Sequence, residues 1–207
     1  MRHIIPVFAL FALTACDVQD ELLTDAGTPT PDEAPVEVAP PAYTWVLVED
    51  TSIEMNAFGA PGADICGVAF DCGGGVRGVG VDAHLWAGDG EACRAGGEVN
   101  GEACFADRDD PLAAVGSPHD PCEADSSPSH YVALGLGGVL AVRVDTDDGD
   151  LPTLEGCSVT IYERTSRDVE SFQVSVCADA GGVQCLQPAP LAVSPDGGDV
   201  RFVVPMP

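Results

Sequence analysis

The stretch SFQVSVC at residues 171–177 carries the pattern that decides the fold of this chain. Phe172, Val174 and Val176 point to one side of an extended chain, and the side chains between them point to the other, because neighbours along a strand face opposite sides. Alternation of this kind over several residues is typical of a strand with one buried face. The segment therefore predicts a β-strand that covers a core.

Short runs rich in Val, Ile and aromatic residues recur roughly every ten residues from Tyr43 onward, separated by Gly, Pro and Asp clusters. No segment has the periodicity of a long amphipathic helix. The pattern predicts an all-β fold, a single antiparallel β-sandwich of the jelly-roll kind over residues 43–207. The expected strands are Tyr43–Glu49, Ile65–Phe70, Val79–Trp86, Tyr131–Leu136, Val139–Val144, Ser158–Arg164, Ser171–Cys177, Val183–Leu186 and Val200–Val204.

The cysteine count indicates an exported, crosslinked protein. The chain contains nine cysteines, and setting Cys16 aside leaves an even set. An even set in an exported chain reads as a disulfide framework, whereas zinc, the competing interpretation, requires C-x₂-C or C-x₄-C pairs that the chain lacks. The eight are Cys66, Cys72, Cys93, Cys104, Cys122, Cys157, Cys177 and Cys185.

The spacing of the cysteines suggests how they pair. A turn cluster at Asp179–Gly182 separates Cys177 from Cys185 and places them opposite each other at a distance that a disulfide can bridge. The other expected pairs are Cys66–Cys72 and Cys93–Cys104, which close short loops, and Cys122–Cys157, which is left by elimination.

The N-terminus has the features of a secretory signal peptide over residues 1–15. An apolar run, Ile4–Ala15, follows one basic residue, ends in small residues and is too short to span a bilayer as a helix. Its last residues and Cys16 form LTAC, which resembles the lipobox of bacterial lipoproteins. The resemblance implies thioether lipidation of Cys16, cleavage before it, and a mature chain held to a membrane of the cell envelope by its acyl chains.

Two further segments lack the strand pattern. Residues 16–42 carry repeated Pro and acidic residues, a composition that favours an extended and solvated tether. The stretch 88–129 contains three cysteines but no strand pattern, so we expect a long excursion pinned by disulfides.

The charge of the chain limits its partners. It has 34 acidic residues and 8 basic ones, all arginine, and a net charge of −26. Such a surface repels phosphate backbones and anionic head groups, so nucleic-acid binding and electrostatic adhesion to membranes are disfavoured. Attachment to a membrane would come from the lipid on Cys16.

One acidic loop is a candidate cation site. Four carboxylates, Asp145, Asp147, Asp148 and Asp150, fall within six residues directly after an expected strand. Ca²⁺ prefers carboxylate oxygens, but the glycine and glutamate positions of an EF-hand are not matched. The loop is therefore either a loose calcium site or a solvated turn, and we expect no other cofactor.

No catalytic constellation stands out. The run GGGVRG at residues 73–78 matches G-x-G-x-x-G in form, but a strand, not a helix, is expected after it, so it does not fit a dinucleotide site. SPHD at residues 117–120 joins the residue types of a triad, but sequence adjacency does not build a triad.

Several segments in order resemble the galactose-binding-like β-sandwich domains of secreted bacterial surface proteins, and they span nearly all of residues 43–207. The segments are WVLVED at 45–50, PGADI at 61–65, DP at 110–111, AVGSP at 114–118, VALGLGGVL at 132–140, VTIYE at 159–163 and FQVSV at 172–176. The resemblance implies a noncatalytic adhesion or accessory role without a fixed ligand. At two positions where the family usually has acidic residues this chain has Cys66 and Ser158.

The sequence thus predicts a lipid-anchored envelope protein that presents a noncatalytic binding or structural module, with a glycan or another envelope protein as its ligand. The alternative is an exported hydrolase acting on glycans or esters. A hydrolase requires a deep pocket holding a base with a perturbed pKa, and this requirement separates the two interpretations.

Overall fold

The computed structural model describes residues 40–53, 62–88, 98–99, 102–103, 109–118, 122, 130–151, 153–164 and 170–206. Pro40–Pro207 forms one compact unit. Four predicted features lie outside the described residues: the expected signal peptide, the lipidation site Cys16, almost all of the expected tether, and the expected pair Cys93–Cys104.

The described part of the chain is built almost entirely from strands. The strands are β1 (Trp45–Asp50), β2 (Asp64–Gly73), β3 (Val76–Trp86), β4 (Glu98–Val99), β5 (Glu102–Ala103), β6 (Val132–Ala133), β7 (Val139–Thr146), β8 (Ser158–Glu163), β9 (Phe172–Cys177), β10 (Ala192–Ser194) and β11 (Val200–Val203). One short 3-10 helix, Pro111–Ala114, begins at Asp110, whose side chain accepts a hydrogen bond from the Leu112 amide.

Nine of these strands form a single antiparallel sheet in the order β10-β9-β1-β7-β3-β2-β8-β11, with β6 added to one end of β2. The first and last strands of this order, β10 and β11, come close to each other. The sheet therefore curls over, and its two halves enclose one core. The predicted all-β, antiparallel, sandwich-like fold is confirmed.

The inward faces of the strands supply the core, as the alternation predicts. In β7, Leu140, Val142 and Val144 are buried, and in β8 the inward residues Val159 and Ile161 are inaccessible to solvent. Fully burying a side chain of this size stabilises the fold by roughly 1.5–3 kcal/mol relative to leaving it exposed. Residues from β1, β2 and β9 complete the same cluster, namely Val46, Val48, Val68, Phe70, Phe172, Val174 and Val176.

Three local predictions were wrong, and one short strand was not predicted. The segment 131–136 contains only the two-residue strand β6, because Gly135 and Gly137 have positive φ angles and turn the chain. Residues 183–186 contribute only one bridge between Cys185 and Cys177 instead of a strand. Strand β10 was not expected because it is three residues long, and the segment 88–129 does contain short strands, β4 and β5.

The structure corrects two of the expected disulfides. Cys177 pairs with Cys185 as predicted, but Cys66 pairs with Cys122, and Cys72 pairs with Cys157. Cys66 and Cys72 both lie on the continuous strand β2, so their Cα atoms are about 20 Å apart and cannot be bridged. The expected pair Cys122–Cys157 is also wrong. Cys157 lies immediately before β8, which is the neighbour of β2, and its Cα is 4.0 Å from the Cα of Cys72.

Candidate functional site

Both tryptophans of the chain lie on the outer face of the sheet, on the half formed by β9, β1, β7 and β3. Trp45 pairs with Arg143 of β7, and Trp86 pairs with Val139 of the same strand from the opposite side. Because Val46 and Val48 of β1 face the core, Trp45 faces outward. Two strands that are distant in sequence thus bring the two indoles to one surface.

A row of aromatic rings crosses this surface. The rings of Trp45 and His84 stack with centroids 5.6 Å apart and planes 24° apart, and the centroids of His84 and Trp86 are 6.3 Å apart. Ala141 of β7, which lies between Leu47 and His84, faces outward and yet has no exposed surface. Its small side chain leaves room for its neighbours to cover it, while Trp86 remains 49% exposed.

A groove of about 610 Å³ opens beside Trp86. Its floor includes Leu47, Glu49 and Gln173, and the Gln173 amide donates a 2.7 Å hydrogen bond to the Glu49 carboxylate. Register places Gln173 and Glu49 on neighbouring strands in one row with Val139 and Trp86.

The opposite wall of the groove is the segment after β9, which contributes Ala180, Gly182 and Gln187. The disulfide Cys177–Cys185 ties this segment back to the sheet. Gly182 has φ +69° and a β-carbon there would lie 2.9 Å from the Leu47 side chain, so glycine is required for the wall to approach β1 this closely.

This arrangement suits a ligand with an apolar face and a hydroxylated edge. An exposed indole offers an apolar surface with a polar tip, and the amide, carboxylate and hydroxyl of Gln173, Glu49 and Ser175 supply donors and acceptors beside it. A concave site with few, well-placed polar groups is the usual form of a small-molecule site. Sugar rings have this combination of C–H faces and hydroxyl edges.

The carboxylates of the acidic loop after β7 do not converge on one point, as the ligands of a metal ion would. Asp145 accepts hydrogen bonds from the Thr146 and Leu151 amides at 2.8 and 3.0 Å, and it lies 3.6 Å from Arg143. The other three carboxylates, those of Asp147, Asp148 and Asp150, are exposed. In the part of the chain that the structure describes, no group of three or more His, Cys, Asp or Glu is arranged to hold a metal ion. Calcium binding at this loop stays a prediction.

The other sequence motifs are turns and loop segments. Gly74 and Gly75, within GGGVRG, form the turn between β2 and β3, and Val76 already belongs to β3. Of the SPHD motif the structure describes Ser117 and Pro118, while His119 and Asp120 lie outside the described residues.

Buried carboxylates, which the sequence did not identify, hold the loops at one end of the sheet. Asp50 is 2% exposed and accepts hydrogen bonds from the amides of Ala63, Gly137 and Ser52 and from the Ser52 hydroxyl. Asp64 is also buried, 3.2 Å from the Arg164 guanidinium, which lies over the Tyr131 ring. Asp50 and Asp64 therefore position loops, and neither lines the groove beside Trp86.

The buried carboxyl of Glu163 has a raised pKa. Burial raises the pKa of Glu163 from 4.5 to about 7, and the Asp199 charge adds to the increase. A hydrogen bond from the Gly198 amide, at 2.6 Å, opposes it, as do a hydrogen bond with Glu170 and the charge of Arg164. The carboxyl is enclosed in the protein and does not line the groove beside Trp86.

Similarity to known proteins adds nothing to these observations. The chain matches no family model, no curated protein and no solved structure. Among the described residues, no helix is long and apolar enough to cross a membrane.

Proposed function

We propose that the protein is a noncatalytic glycan-binding module displayed on the bacterial cell envelope, with the groove beside Trp86 as its binding site. The observation that carries this proposal is the placement of both tryptophans on one outer sheet face, where Trp86 lines the same groove as the polar residues Glu49, Gln173 and Ser175. Exposed apolar patches that are rimmed by polar residues often mark binding sites.

The envelope location is supported by the cysteine chemistry. Three disulfides join described residues, and disulfides persist in oxidising compartments outside the cytosol. The LTAC sequence at residues 13–16 accounts for the ninth cysteine, Cys16, as the site of lipidation. Acyl chains on Cys16 would hold the binding module at a membrane surface, and each buried CH₂ contributes about 0.8 kcal/mol.

The shape of the face favours an oligosaccharide over a single sugar. Val193 of β10, Gln173, Glu49, Val139 and Trp86 form one outward row across five strands. Strands lie about 4.8 Å apart, so the row is roughly 19 Å long, several times the width of a sugar ring. A glycan chain lying across the strands would contact the whole row.

The charge of the protein selects the kind of glycan. The net charge is −26, and Glu49 lies in the groove itself. Like charges across an interface suppress binding, so uronic and other acidic sugars are disfavoured. We expect neutral or amino-sugar oligosaccharides to bind. Glu163, whose pKa is raised, does not line the groove beside Trp86, so we favour the noncatalytic module and keep the exported hydrolase as the alternative.

The proposal is tested by titrating the purified chain with neutral and amino-sugar oligosaccharides, using calorimetry and tryptophan fluorescence. Because both tryptophans lie on this face, a bound glycan should change the fluorescence of the protein. We expect Trp86→Ala to weaken binding by about tenfold or more, the usual effect of removing a central aromatic contact.

Leu112→Ala is the matched control, because Leu112 is an exposed apolar side chain, 58% accessible, on the 3-10 helix and not in the groove. Its affinity should equal that of the wild-type chain. Failure of every neutral and amino-sugar oligosaccharide to bind, or equal effects of the two substitutions, would contradict the proposal.

A further inference from the structure

A second cleft, of about 390 Å³, lies on the outer face of the other half of the sheet, formed by β3, β2, β8 and β11. We propose that this cleft binds a tetrahedral oxyanion, a phosphate or sulfate group, between Arg77 and Arg201. The proposal is independent of glycan binding, because the two surfaces share no residue.

The strand register brings the two arginines to the same part of the surface. Arg77 of β3 pairs with Asp71 of β2, and Asp71 pairs with Ser158 of β8 on its other side. Arg201 of β11 reaches the same row, because its Nε donates a 2.8 Å hydrogen bond to the Ser158 hydroxyl. Both guanidinium groups therefore border one cleft, from opposite sides.

Neither Arg77 nor Arg201 has a carboxylate partner among the residues that the structure describes. The chain has 34 acidic residues for 8 arginines, and the other two described arginines, Arg143 and Arg164, each form an ion pair. Among the described residues no carboxylate oxygen lies within 4.0 Å of a side-chain nitrogen of Arg77 or Arg201.

Asp71, the cross-strand partner of Arg77, also lines the cleft. Asp71 accepts a 2.7 Å hydrogen bond from the Gly73 amide, two residues along its own strand. Asp147 also lines the cleft, but from an exposed loop. Neither carboxylate lies within 4.0 Å of a guanidinium nitrogen of Arg77 or Arg201, so guanidinium N–H groups remain available to a ligand, next to two negative charges.

The remaining lining of the cleft supplies hydrogen-bond donors. The hydroxyls of Ser117, Thr160 and Tyr162 line it together with that of Ser158. Guanidinium groups bind oxyanions through paired N–H donors, and each hydroxyl adds one more. A phosphate or sulfate has enough acceptor oxygens to satisfy donors that approach from several directions, whereas a carboxylate has only two oxygens.

Isothermal titration of the purified full-length chain with inorganic phosphate and with sulfate, at low ionic strength, tests the proposal. We expect saturable binding that weakens as salt is added, because exposed charges are screened. Arg77→Gln and Arg201→Gln should each weaken binding by about tenfold or more, the usual effect of losing a charge-assisted hydrogen bond.

Arg143→Gln is the matched control, because it removes the same charge from an arginine that is paired with Asp145 on the other half of the sheet. It should bind phosphate as the wild-type chain does, and melting curves of all variants verify that they fold. Absence of saturable binding in the wild-type chain overturns the proposal. Equal weakening by Arg143→Gln also overturns it, because the effect would then come from net charge alone.

Sedimentation with phosphatidylglycerol vesicles identifies the source of the oxyanion. Vesicle binding that is lost in Arg77→Gln and Arg201→Gln supports a lipid head group as the ligand. Phosphate binding without vesicle binding supports a soluble phosphorylated or sulfated ligand, which is the outcome we expect, since the net charge of −26 repels an anionic membrane. Vesicle binding that is unaffected by both substitutions, with no phosphate binding, contradicts the proposal.

Discussion

Glu163 shows how one residue couples the fold to pH. Glu163 is the last residue of strand β8, and its side chain faces inward. Its carboxylate accepts a hydrogen bond from the Gly198 amide in the loop between β10 and β11. The groups around it are Glu170, which precedes β9, Asp199 of the same loop, and the Arg164 guanidinium. Burial and the charge of Asp199 favour the protonated form and outweigh Gly198, Glu170 and Arg164, so this carboxyl holds its proton at a pH where an exposed glutamate has lost it.

The raised pKa of Glu163 predicts that stability falls as pH rises. Its pKa is about 7 in the folded chain and 4.5 as the ordinary value, so the favourable contribution is complete below pH 4.5 and is lost as pH rises to about 7. The loss amounts to at most roughly 3 kcal/mol. We expect the free energy of unfolding, measured with denaturant at a series of pH values, to fall across this interval.

Glu163→Gln should remove most of this fall, because glutamine keeps an acceptor for the Gly198 amide but does not titrate. Asp148→Asn, which removes a carboxylate from an exposed position, should leave the fall in place. A wild-type profile that is flat between pH 4.5 and 7, or one that keeps its slope in Glu163→Gln, would show that Glu163 titrates normally.

At the scale of elements, the disulfides connect strands that are neighbours in the sheet but distant in sequence. Cys72–Cys157 joins the end of β2 to the start of β8 across 85 residues, whereas Cys177–Cys185 closes a segment of 8 residues. Crosslinking a longer loop removes more entropy from the unfolded chain. The two bridges therefore have different roles, the first in global stability and the second in holding the wall of the groove.

Removing each bridge separately should reveal this division. The loop-entropy relation predicts that Cys72→Ser with Cys157→Ser lowers the free energy of unfolding by about 4–5 kcal/mol, and Cys177→Ser with Cys185→Ser by about 2–3 kcal/mol. Oligosaccharide affinity, measured below the melting temperature of both variants, should fall only in the second, because only that bridge pins the groove wall. The reverse order of stabilities would be inconsistent with the observed connectivity.

At the scale of the whole molecule, the curled sheet has two outer surfaces of different chemistry. One surface carries the aromatic row and the groove beside Trp86, and the other carries the cleft between Arg77 and Arg201. Such a module could bind a glycan and an oxyanion at the same time. A lipid on Cys16 would determine where in the cell both surfaces are presented.

Cys16→Ser should release the exported protein from the membrane. A serine has no thiol to form the thioether, so we expect labelling with radioactive palmitate to disappear and the chain to leave the detergent-extracted membrane fraction. The pair Cys177→Ser and Cys185→Ser, which also removes thiols but lies outside the LTAC sequence, should stay labelled and membrane-bound. Unchanged labelling and fractionation of Cys16→Ser would refute the anchor.

The strands could be predicted because a strand's two-residue period is a local property of the chain. The alternation in β7 and β9 identified the buried face of each, and the predicted bounds of most long strands differ from the observed ones by a few residues. The pair Cys177–Cys185 was equally local, since a single turn separates its partners. The order of the strands was not predictable, because it depends on pairings between residues as far apart as Trp45 and Cys177.

The sequence by itself determined the all-β class, the inward faces, the acidic surface and the cysteine-rich character of this protein, because each follows from composition or from neighbouring residues. The tertiary structure alone decided that Trp45 and Trp86 share a surface, that Arg77 and Arg201 border one cleft, and that Cys72 reaches Cys157. The physical reason is that both surfaces are assembled across strands. Hydrogen bonding between distant segments, and not the order of residues along any one of them, decides which side chains meet.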